Sequence, residues 1–297
     1  MSHIPVLLKE VLDGLEVKDG EVFVDMTLGN AGHTKAVLES GAKELTVIGI
    51  DVDPEATAQA QENLSSYLND HSIKIHTTYF DSLEDVLEKE NLQTFDKILF
   101  DLGFRSDQID NPERGFSFSK EGPLSMALAG PEADLQADEV VNDWAEDSLS
   151  DIIYGFGEEK FSRRIAKAIV EARAKKRIET TTELANIIYH SVPLFYRRGR
   201  IHPATKTFQA IRIATNSELD RIKRVLPVVF EKLNPGGRIA VISFHSLEDR
   251  IIKRFFKEKA VEGGARLITK KPIIASEEEN IENPRSRSAK LRILEKI

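Results

Sequence analysis

The alternation of short apolar runs with amphipathic segments in the first third of the chain constrains the fold more than any other feature. The apolar runs are "EVFVDMT", "ELTVIGID", "IKIHTTYF" and "FDKILFDLG", and helical patterns separate them over residues 34–39, 54–68 and 82–90. Strands of Val, Ile, Leu and Phe that alternate with helices form parallel sheets covered on both faces. The pattern therefore predicts an α/β fold with a doubly wound sheet.

The alternation of strands and helices is replaced by helical segments between Arg105 and Asn216, where no clear strand is visible. After a further helix over residues 218–233, the residues "NPGG" predict a turn before the strand "RIAVISF". Two more strands are expected near "ARLITK" and "AKLRILEKI". We interpret residues 1–105 and 216–297 as a ligand-binding sheet domain, and residues 106–215 as an inserted helical domain.

Composition narrows the class of protein. A chain of 297 residues with 41% hydrophobic content can form one or two domains. The absence of cysteine excludes disulfides, thiolate metal sites and a cysteine nucleophile, and no compact metal-ligand motif is visible. No run of about 18 apolar residues occurs, and "MSHIPVLLKEVL" is unlike a secretory signal, so we expect a cytoplasmic protein without a membrane partner.

Charge is unevenly distributed along the chain. The formal net charge of −8 argues against a generally basic nucleic-acid binder. Lysine and arginine nevertheless dominate residues 160–177, 197–212, 250–257 and 285–292. These segments fit either a basic face for a polyanion or the solvated surfaces of ordinary helices.

The stretch "DMTLGNAGHT" forms a glycine-bearing turn after the first strand. Ala31 and Thr34 occupy the second and third glycine positions of the dinucleotide fingerprint that would start at Gly29. Gly29 and Gly32 still permit a tight turn that a ligand can approach closely, and Asp51 ends the next strand, where an acid can bind ribose hydroxyls. A nucleoside without a pyrophosphate is the better fit, although many such turns are only structural.

Other polar and aromatic residues follow neighbouring strands. Asp101 ends one strand, and Phe80 and Asp81 follow another, so they are expected at the carboxyl edge where open α/β sheets bind ligands. S-adenosylmethionine suits this set, with Asp51 for the ribose, Phe80 beside adenine, and acids favouring the sulfonium. Each acid can instead cap a helix or form a turn, and His245, just past a later strand, is either a turn residue or a substrate contact.

Cations beside aromatic residues suggest a surface for single-stranded RNA in "RGFSF" and "RGRIHPATKTFQAIRIATN". Ordinary core packing of the aromatic residues is the alternative. The candidate substrate residues are Arg114, Phe116, His202, Lys206, Phe208 and Arg212, together with Arg250 on the helix after His245.

The motifs "HIPVLLKEVL", "FGEEKFSRRIAKAIVEAR", "HPATKTFQAIRI", "SFHSLEDR" and "NPRSRSAKLRILEK" resemble the bacterial small-subunit ribosomal RNA methyltransferase H family, also called MraW. The resemblance implies a class I methyltransferase fold with a helical insertion. It also implies methyl transfer from S-adenosylmethionine to N4 of a cytidine in the decoding region of small-subunit ribosomal RNA, within an assembled small ribosomal subunit. By position, the implied cofactor contacts are Ala31, Gly32, His33, Asp51, Phe80, Asp101 and Gln108.

For the chemistry of this family, we hypothesise that Asp101 accepts a hydrogen bond from the cytidine amine and assists proton loss, with His245 as a second catalytic candidate. The chain departs from the motif "DGPLDMRMD", since Ser125, Ala127 and Ala129 replace its last three charged residues. A diverged relative that methylates another nucleotide, or a noncatalytic assembly factor, is therefore the second hypothesis. An NAD-dependent oxidoreductase is the third, and the broken glycine fingerprint disfavours it.

Overall fold

The computed structural model describes residues 5–297, apart from the side chains at positions 106 and 107. The described chain divides into two compact units. The sheet unit comprises the described part of Met1–Gly103 together with Leu219–Ile297, and the helical unit comprises Phe104–Glu218.

A seven-stranded sheet forms the centre of the sheet unit. The strands are β1 (Val22–Asp25), β2 (Thr46–Asp51), β3 (Ser72–Thr77), β4 (Phe95–Asp101), β5 (Leu233–Ser243), β6 (Ala265–Leu267) and β7 (Lys290–Lys296). Their order across the sheet is β3-β2-β1-β4-β5-β7-β6. Strands β1 to β5 pair in parallel, whereas β7 is antiparallel to both β5 and β6. Each of the seven strands overlaps a predicted apolar run, although β5 begins before its run.

Helices account for most of the remaining chain. They are α1 (Leu8–Leu15), α2 (Gly32–Leu38), α3 (Pro54–Leu64), α4 (Leu83–Lys89), α5 (Ser106–Asp110), α6 (Ala137–Asp143), α7 (Glu146–Gly155), α8 (Ser162–Arg173), α9 (Thr181–Ser191), α10 (Leu194–Arg197), α11 (Ala204–Asn216), α12 (Glu218–Lys232), α13 (Ser246–Val261) and α14 (Glu277–Glu282). None of the helices within residues 5–297 has the length and apolarity needed to cross a membrane.

Both faces of the sheet are covered, because successive strand residues point to opposite sides. Phe23 of β1 belongs to an apolar cluster with Leu15 and Val37, from α1 and α2. The next residue, Val24, belongs to a second cluster, with Val86 of α4 as well as residues of α12 and α13. The predicted doubly wound arrangement is thus confirmed.

The turn predicted at residues 234–237 is present, with Gly236 at φ +77°, but it lies inside β5 and not before it. Leu233 pairs with Phe95 and Arg238 pairs with Lys97, so four residues of β5 span one residue of β4. The strand therefore begins earlier than the sequence pattern indicates. A bulge accommodates turn-forming residues without ending the strand, because the extra residues leave the ladder while pairing continues on each side.

The helical unit has its own apolar core, which includes Leu149, Ile165, Leu184 and Ile211. Among its described residues, strand pairing is limited to the isolated bridge between Pro123 and Thr180. Helices therefore dominate this part of the chain, as its sequence pattern indicates.

Gly115 and Gly130 of the helical unit allow a test of close backbone packing. Both have positive φ, +70° and +86°, but an added Cβ would lie 2.3 Å from Pro123 O at Gly115 and meet nothing within 4 Å at Gly130. We expect Gly130→Ala to lose about 1 kcal/mol of unfolding free energy from backbone strain alone. Gly115→Ala should lose roughly 1–3 kcal/mol more, because the backbone around Pro123 must shift. Urea unfolding followed by circular dichroism checks this, and equal losses would contradict the packing explanation.

Candidate active site

The turn after β1 is held against the end of β2 by backbone hydrogen bonds. Leu28 N donates to Ile50 O at 2.9 Å, and Ala31 N donates back to Leu28 O at 2.7 Å. Ala31 has φ +65° and ψ +30° and is followed directly by helix α2. Ala31 occupies a glycine position of the dinucleotide fingerprint, and an alanine in this left-handed conformation is strained. The fold therefore keeps a tight turn at this position despite the substitution.

Asp51 fixes this turn from the neighbouring strand. Its Oδ2 accepts a hydrogen bond from Gly29 N at 2.8 Å, and its Oδ1 accepts one from Asp53 N at 2.9 Å. Asp53 in turn caps α3 by accepting a hydrogen bond from Glu55 N at 3.0 Å. Asp51 thus lies at the carboxyl edge as predicted, where it also joins two loops.

Asp101 lies at the end of β4, which β1 separates from β2. Its backbone N donates to Thr27 Oγ1 at 2.6 Å, and Gly103 N donates to its Oδ1 at 3.3 Å. Register explains the first contact, because Asp25 pairs with Leu99 and the next two residues of each strand bring Thr27 level with Asp101. The Thr27 side chain therefore fixes the Asp101 backbone, and Gly103 N contacts its carboxylate.

His33, at the start of α2, connects this carboxylate to the N-terminal segment. Its Nε2 lies 3.0 Å from Val6 O, and its Nδ1 lies 3.7 Å from Asp101 Oδ2. Since a carbonyl oxygen only accepts, we assign the hydrogen to Nε2. The other ring nitrogen, Nδ1, then faces the Asp101 carboxylate.

Asp25 is a third carboxyl at this edge, and it was not among the candidates chosen from the sequence. Its side chain is 1% exposed, and it accepts hydrogen bonds from Thr34 Oγ1 at 2.6 Å and from Thr27 N at 3.2 Å. Burial raises its pKa to about 6, and the nearby charge of Asp101 acts in the same direction, although the hydrogen bond from Thr34 and the charge of His33 oppose the shift. The signal that identified Asp51 and Asp101, an acid ending a strand, also applies to Asp25.

Phe80 and Asp81 follow β3 and have different surroundings. The Phe80 ring packs edge-on against Phe100, with the ring centroids 5.9 Å apart. Asp81 accepts hydrogen bonds from Arg221 at 2.6 Å and Arg224 at 2.7 Å. Although partial burial disfavours its charge, these arginines hold the pKa of Asp81 below its ordinary value. The Asp81 carboxylate thus forms ion pairs within the sheet unit.

His245 begins α13 as its N-cap residue. The structure assigns a reciprocal cap in which Glu248 N donates to His245 Nδ1 at 3.5 Å, and Glu248 Oε2 accepts from His245 N at 3.2 Å. His245 Nε2 also lies 3.1 Å from Glu248 Oε1. The turn-residue alternative describes these contacts, while a catalytic role for His245 stays a prediction. Arg250, one turn later, is exposed.

Phe244 is an aromatic residue at this edge that sequence reasoning missed. An added Cβ at Gly103 would lie 2.7 Å from the Phe244 ring and 3.2 Å from Asp101 Oδ1. The glycine therefore allows an aromatic ring to lie beside the Asp101 loop. Its position immediately after β5, next to His245, is the signal that would have identified it.

In the helical unit, the candidate cations Arg114 and Arg212 have partners within the unit. Arg114 is 8% exposed and donates to the carbonyls of Ala127 at 3.2 Å and Leu128 at 2.8 Å. Arg212 forms two hydrogen bonds to Glu218, at 2.9 and 2.8 Å. These contacts are structural, and binding of substrate by either arginine stays a prediction.

The remaining candidates in this unit are mostly aromatic. The Phe118 ring contacts both Phe208 and His202, with centroid distances of 4.8 Å, and Phe208 is 5% exposed. Burial lowers the pKa of His202. Lys206 Nζ donates to Glu158 O at 3.0 Å. Phe208 is therefore packed in the core, which was the alternative to an RNA-binding role. His202 is exposed.

Two further candidates lie near the start of this unit. Phe116 packs against Phe104, with the ring centroids 5.1 Å apart. Gln108 is 5% exposed, and its Oε1 accepts a hydrogen bond from Arg105 N at 3.2 Å. The implied cofactor contact of Gln108 stays a prediction.

These features can be compared with known proteins. The MraW methylase family matches residues 1–297 of the chain. The chain belongs to the MraW methylase family. The protein named ribosomal RNA small subunit methyltransferase H in Halothermothrix orenii is 42% identical, with 100% of this chain and 99% of that protein covered. The protein of the same name in Trichodesmium erythraeum is 44% identical, with both chains fully covered.

Membership of the MraW family confirms the resemblance seen in the sequence motifs. The sheet order, with its antiparallel β7, agrees with the class I fold expected for that family. In this MraW protein, the departure at Ser125 and Ala127 is accommodated structurally. Ser125 Oγ donates to Gln136 Oε1 at 2.7 Å, and Ala127 is 1% exposed.

The pKa of Asp25 leads to a prediction about stability. Because its folded pKa of about 6 lies above the ordinary value of 3.8, the folded protein retains a proton that the unfolded chain has released between these values. This contribution is fully present below about pH 4 and is lost as pH rises through about 6, a change on the order of 3 kcal/mol. The stability of the wild type relative to Asp25→Asn should therefore fall across this range and stay level above about pH 7.

Urea unfolding of both proteins at several pH values measures this difference. Asp13→Asn, which removes an exposed carboxylate from α1, controls for the change in net charge. A difference between wild type and Asp25→Asn that does not vary with pH would contradict the assignment.

Proposed function

We propose that this protein transfers a methyl group from S-adenosylmethionine to the exocyclic N4 of a cytidine in the decoding region of small-subunit ribosomal RNA. Membership of the MraW methylase family supports the reaction class and the RNA substrate. The observation that carries the proposal is the position of Asp101, held by Thr27 and facing His33 at the carboxyl edge of the sheet. The substrate form that we propose is the assembled small ribosomal subunit.

The residues at this edge fit S-adenosylmethionine. The turn from Gly29 to Gly32 allows close backbone approach, and Asp51 can accept hydrogen bonds from ribose hydroxyls while it holds that turn. Phe80 offers an aromatic surface for adenine. The carboxyl groups of Asp25 and Asp101 favour a cation nearby. Bound there, S-adenosylmethionine supplies an electrophilic methyl group on a positively charged sulfur.

The protein must orient a weak nucleophile. The N4 lone pair of cytosine is delocalised into the ring, so alignment with the methyl group should supply most of the rate. Asp101 accepts a hydrogen bond from N4–H, which restricts the orientation of the amine and favours loss of its proton as the N–C bond forms. The His33 ring lies beside the Asp101 carboxylate, and Phe244 provides an apolar neighbour for the base.

Replacement of Asp101 tests this role. Asp101→Asn keeps the size of the side chain but removes its charge and proton-accepting capacity. We expect kcat to fall roughly 10²- to 10⁴-fold while the Kd for S-adenosylmethionine changes much less. The assay uses small ribosomal subunits that lack the modification, with N4-methylcytidine mapped by mass spectrometry of RNA fragments. Methylation at the native rate by a variant that binds cofactor normally would rule out the carboxylate role.

Asp51 allows a separate test of the cofactor site. Asp51→Ala removes the acceptor for Gly29 N and the proposed ribose contact, so cofactor affinity should fall roughly 10- to 100-fold. Asn63→Ala is a matched control, because Asn63 donates to Asn30 O of the same turn at 3.0 Å from an exposed position. Calorimetric titration with S-adenosylmethionine and with NAD measures both. Tight NAD binding without binding of S-adenosylmethionine would favour the oxidoreductase hypothesis.

The altered segment at Ser125 and Ala127 favours a second candidate, a relative that binds RNA without methylating this cytidine. The backbone of the segment still binds Arg114, so the substitutions leave its local fold intact. Cofactor and RNA binding without any methylated product would select this candidate. A product at a different nucleotide would instead indicate altered specificity.

A further inference from the structure

An exposed aromatic and basic surface of the helical unit is not included in the site described above. It is formed where α10 packs against the start of α8. The Phe161 ring lies 4.9 Å from the Tyr196 ring and 6.3 Å from the Phe195 ring, measured between centroids. Lys160 Nζ lies 5.5 Å from the Tyr196 centroid and 6.0 Å from the Phe195 centroid.

Tyr196 anchors α10, whereas Phe195 does not contribute to the core. The Tyr196 hydroxyl donates to Glu159, whose side chain is fully buried. This contact, together with burial, raises the pKa of Tyr196. Phe195 is 68% exposed, and Leu194 and Ile201 on the same segment are 58% and 60% exposed. Because Tyr196 fixes α10 in place, the exposed Phe195 ring is held in a defined position.

The cations of this segment have two different environments. Arg197 points inward, where its guanidinium donates to Val192 O at 3.0 Å and His190 O at 2.7 Å. Arg198 and Arg200 are exposed, and neither forms an ion pair with any residue in the described part of the chain. Residues 194–206 contain no acidic residue. Residues 194–206 are thus positively charged in a chain of formal net charge −8.

We propose that the Phe195 surface, defined as Lys160, Phe195, Arg198 and Arg200, binds single-stranded RNA outside the target cytidine. The proposal rests on the proposed function and extends it to the flanking RNA. Phe195 stacks on a base, and Arg198 and Arg200 bind phosphates, which is the combination that sequence-tolerant single-strand binding requires. A membrane partner is less suited, because α10 is only four residues long and offers little apolar area for insertion.

The test measures binding of the full-length protein to a fluorescent single-stranded RNA at several salt concentrations. Phe195→Ala should weaken binding roughly 10-fold without changing its salt dependence. The double variant Arg198→Ala/Arg200→Ala should reduce the slope of log affinity against log salt by about 1.4, since each single-strand phosphate contact contributes about 0.7. As a control, Lys270→Ala/Lys271→Ala removes the same number of exposed charges from the sheet unit. It should leave the slope of log affinity against log salt mostly unchanged.

A conservative pair distinguishes stacking from apolar docking. Phe195→Trp should bind RNA at least as well as the wild type, while Phe195→Leu should resemble Phe195→Ala. Leu68→Ala, at an exposed leucine of the sheet unit, should have no effect. Thermal unfolding shows whether each variant is folded, and the exposure of Phe195 makes loss of folding by all three substitutions unexpected. Wild-type binding by Phe195→Leu or by the double arginine variant would overturn the proposal.

Enzyme kinetics and RNA binding together separate this proposal from the proposed function. With unmodified small subunits as substrate, Phe195→Ala should raise KM roughly 10-fold and leave kcat unchanged. If Phe195→Ala is active with a normal KM, the proposal for the Phe195 surface is wrong but the proposed activity stands. If RNA binding depends on Phe195 but no methylation occurs, only the proposed activity is wrong. Vesicles containing anionic lipid provide the last comparison, because Phe195-dependent binding to vesicles but not to RNA would indicate a membrane partner instead.

Discussion

The candidate site depends on placing three carboxyl groups at one edge of a parallel sheet. Carboxylates in partly buried surroundings raise the free energy of the folded state unless each group has a partner. Asp51 is satisfied by backbone N–H groups, Asp101 has the nearby His33 imidazole, and Asp25 is buried with a hydroxyl donor. The glycine-bearing turn, the strand register and the start of α2 all contribute these partners. Much of the local structure therefore compensates for an arrangement that binding a cation would also favour.

The overall architecture was predictable because apolar periodicity reports burial directly. Strands covered on both faces are almost continuously apolar, so β1, β2 and β4 are visible in the sequence before any tertiary contact is known. The beginning of β5 was not predictable in the same way. Asn, Pro and Gly are typical of turns, and residues 234–237 do leave the ladder, while Leu233 before them still pairs with Phe95 of β4. That pairing, which no local pattern indicates, places the start of β5 before the turn.

The contacts that the site side chains make were less predictable from the sequence than the positions of these residues in the fold. Asp51 and Asp101 lie where acids ending parallel strands must lie, but the environment of Asp25 depends on Thr34 from another element. A similar difficulty applies to arginines, since sequence alone does not distinguish a cation that binds phosphate from one that binds carbonyl groups. Arg114 binds carbonyl groups that only the folded chain brings near it, whereas Arg198 remains exposed.

Arg212 also bears on how the sheet assembles during folding. Strand β5 must pair with β4, yet the entire helical unit separates Asp101 from Leu233 in the chain. Such distant pairing is slow, because the intervening chain loses conformational entropy before the contact is formed. Arg212 stacks 4.2 Å from the centroid of Phe104, the first residue of the helical unit, and pairs with Glu218, its last. A helical unit that folds early would hold its own two ends together and so shorten the effective loop that must close between the two strands.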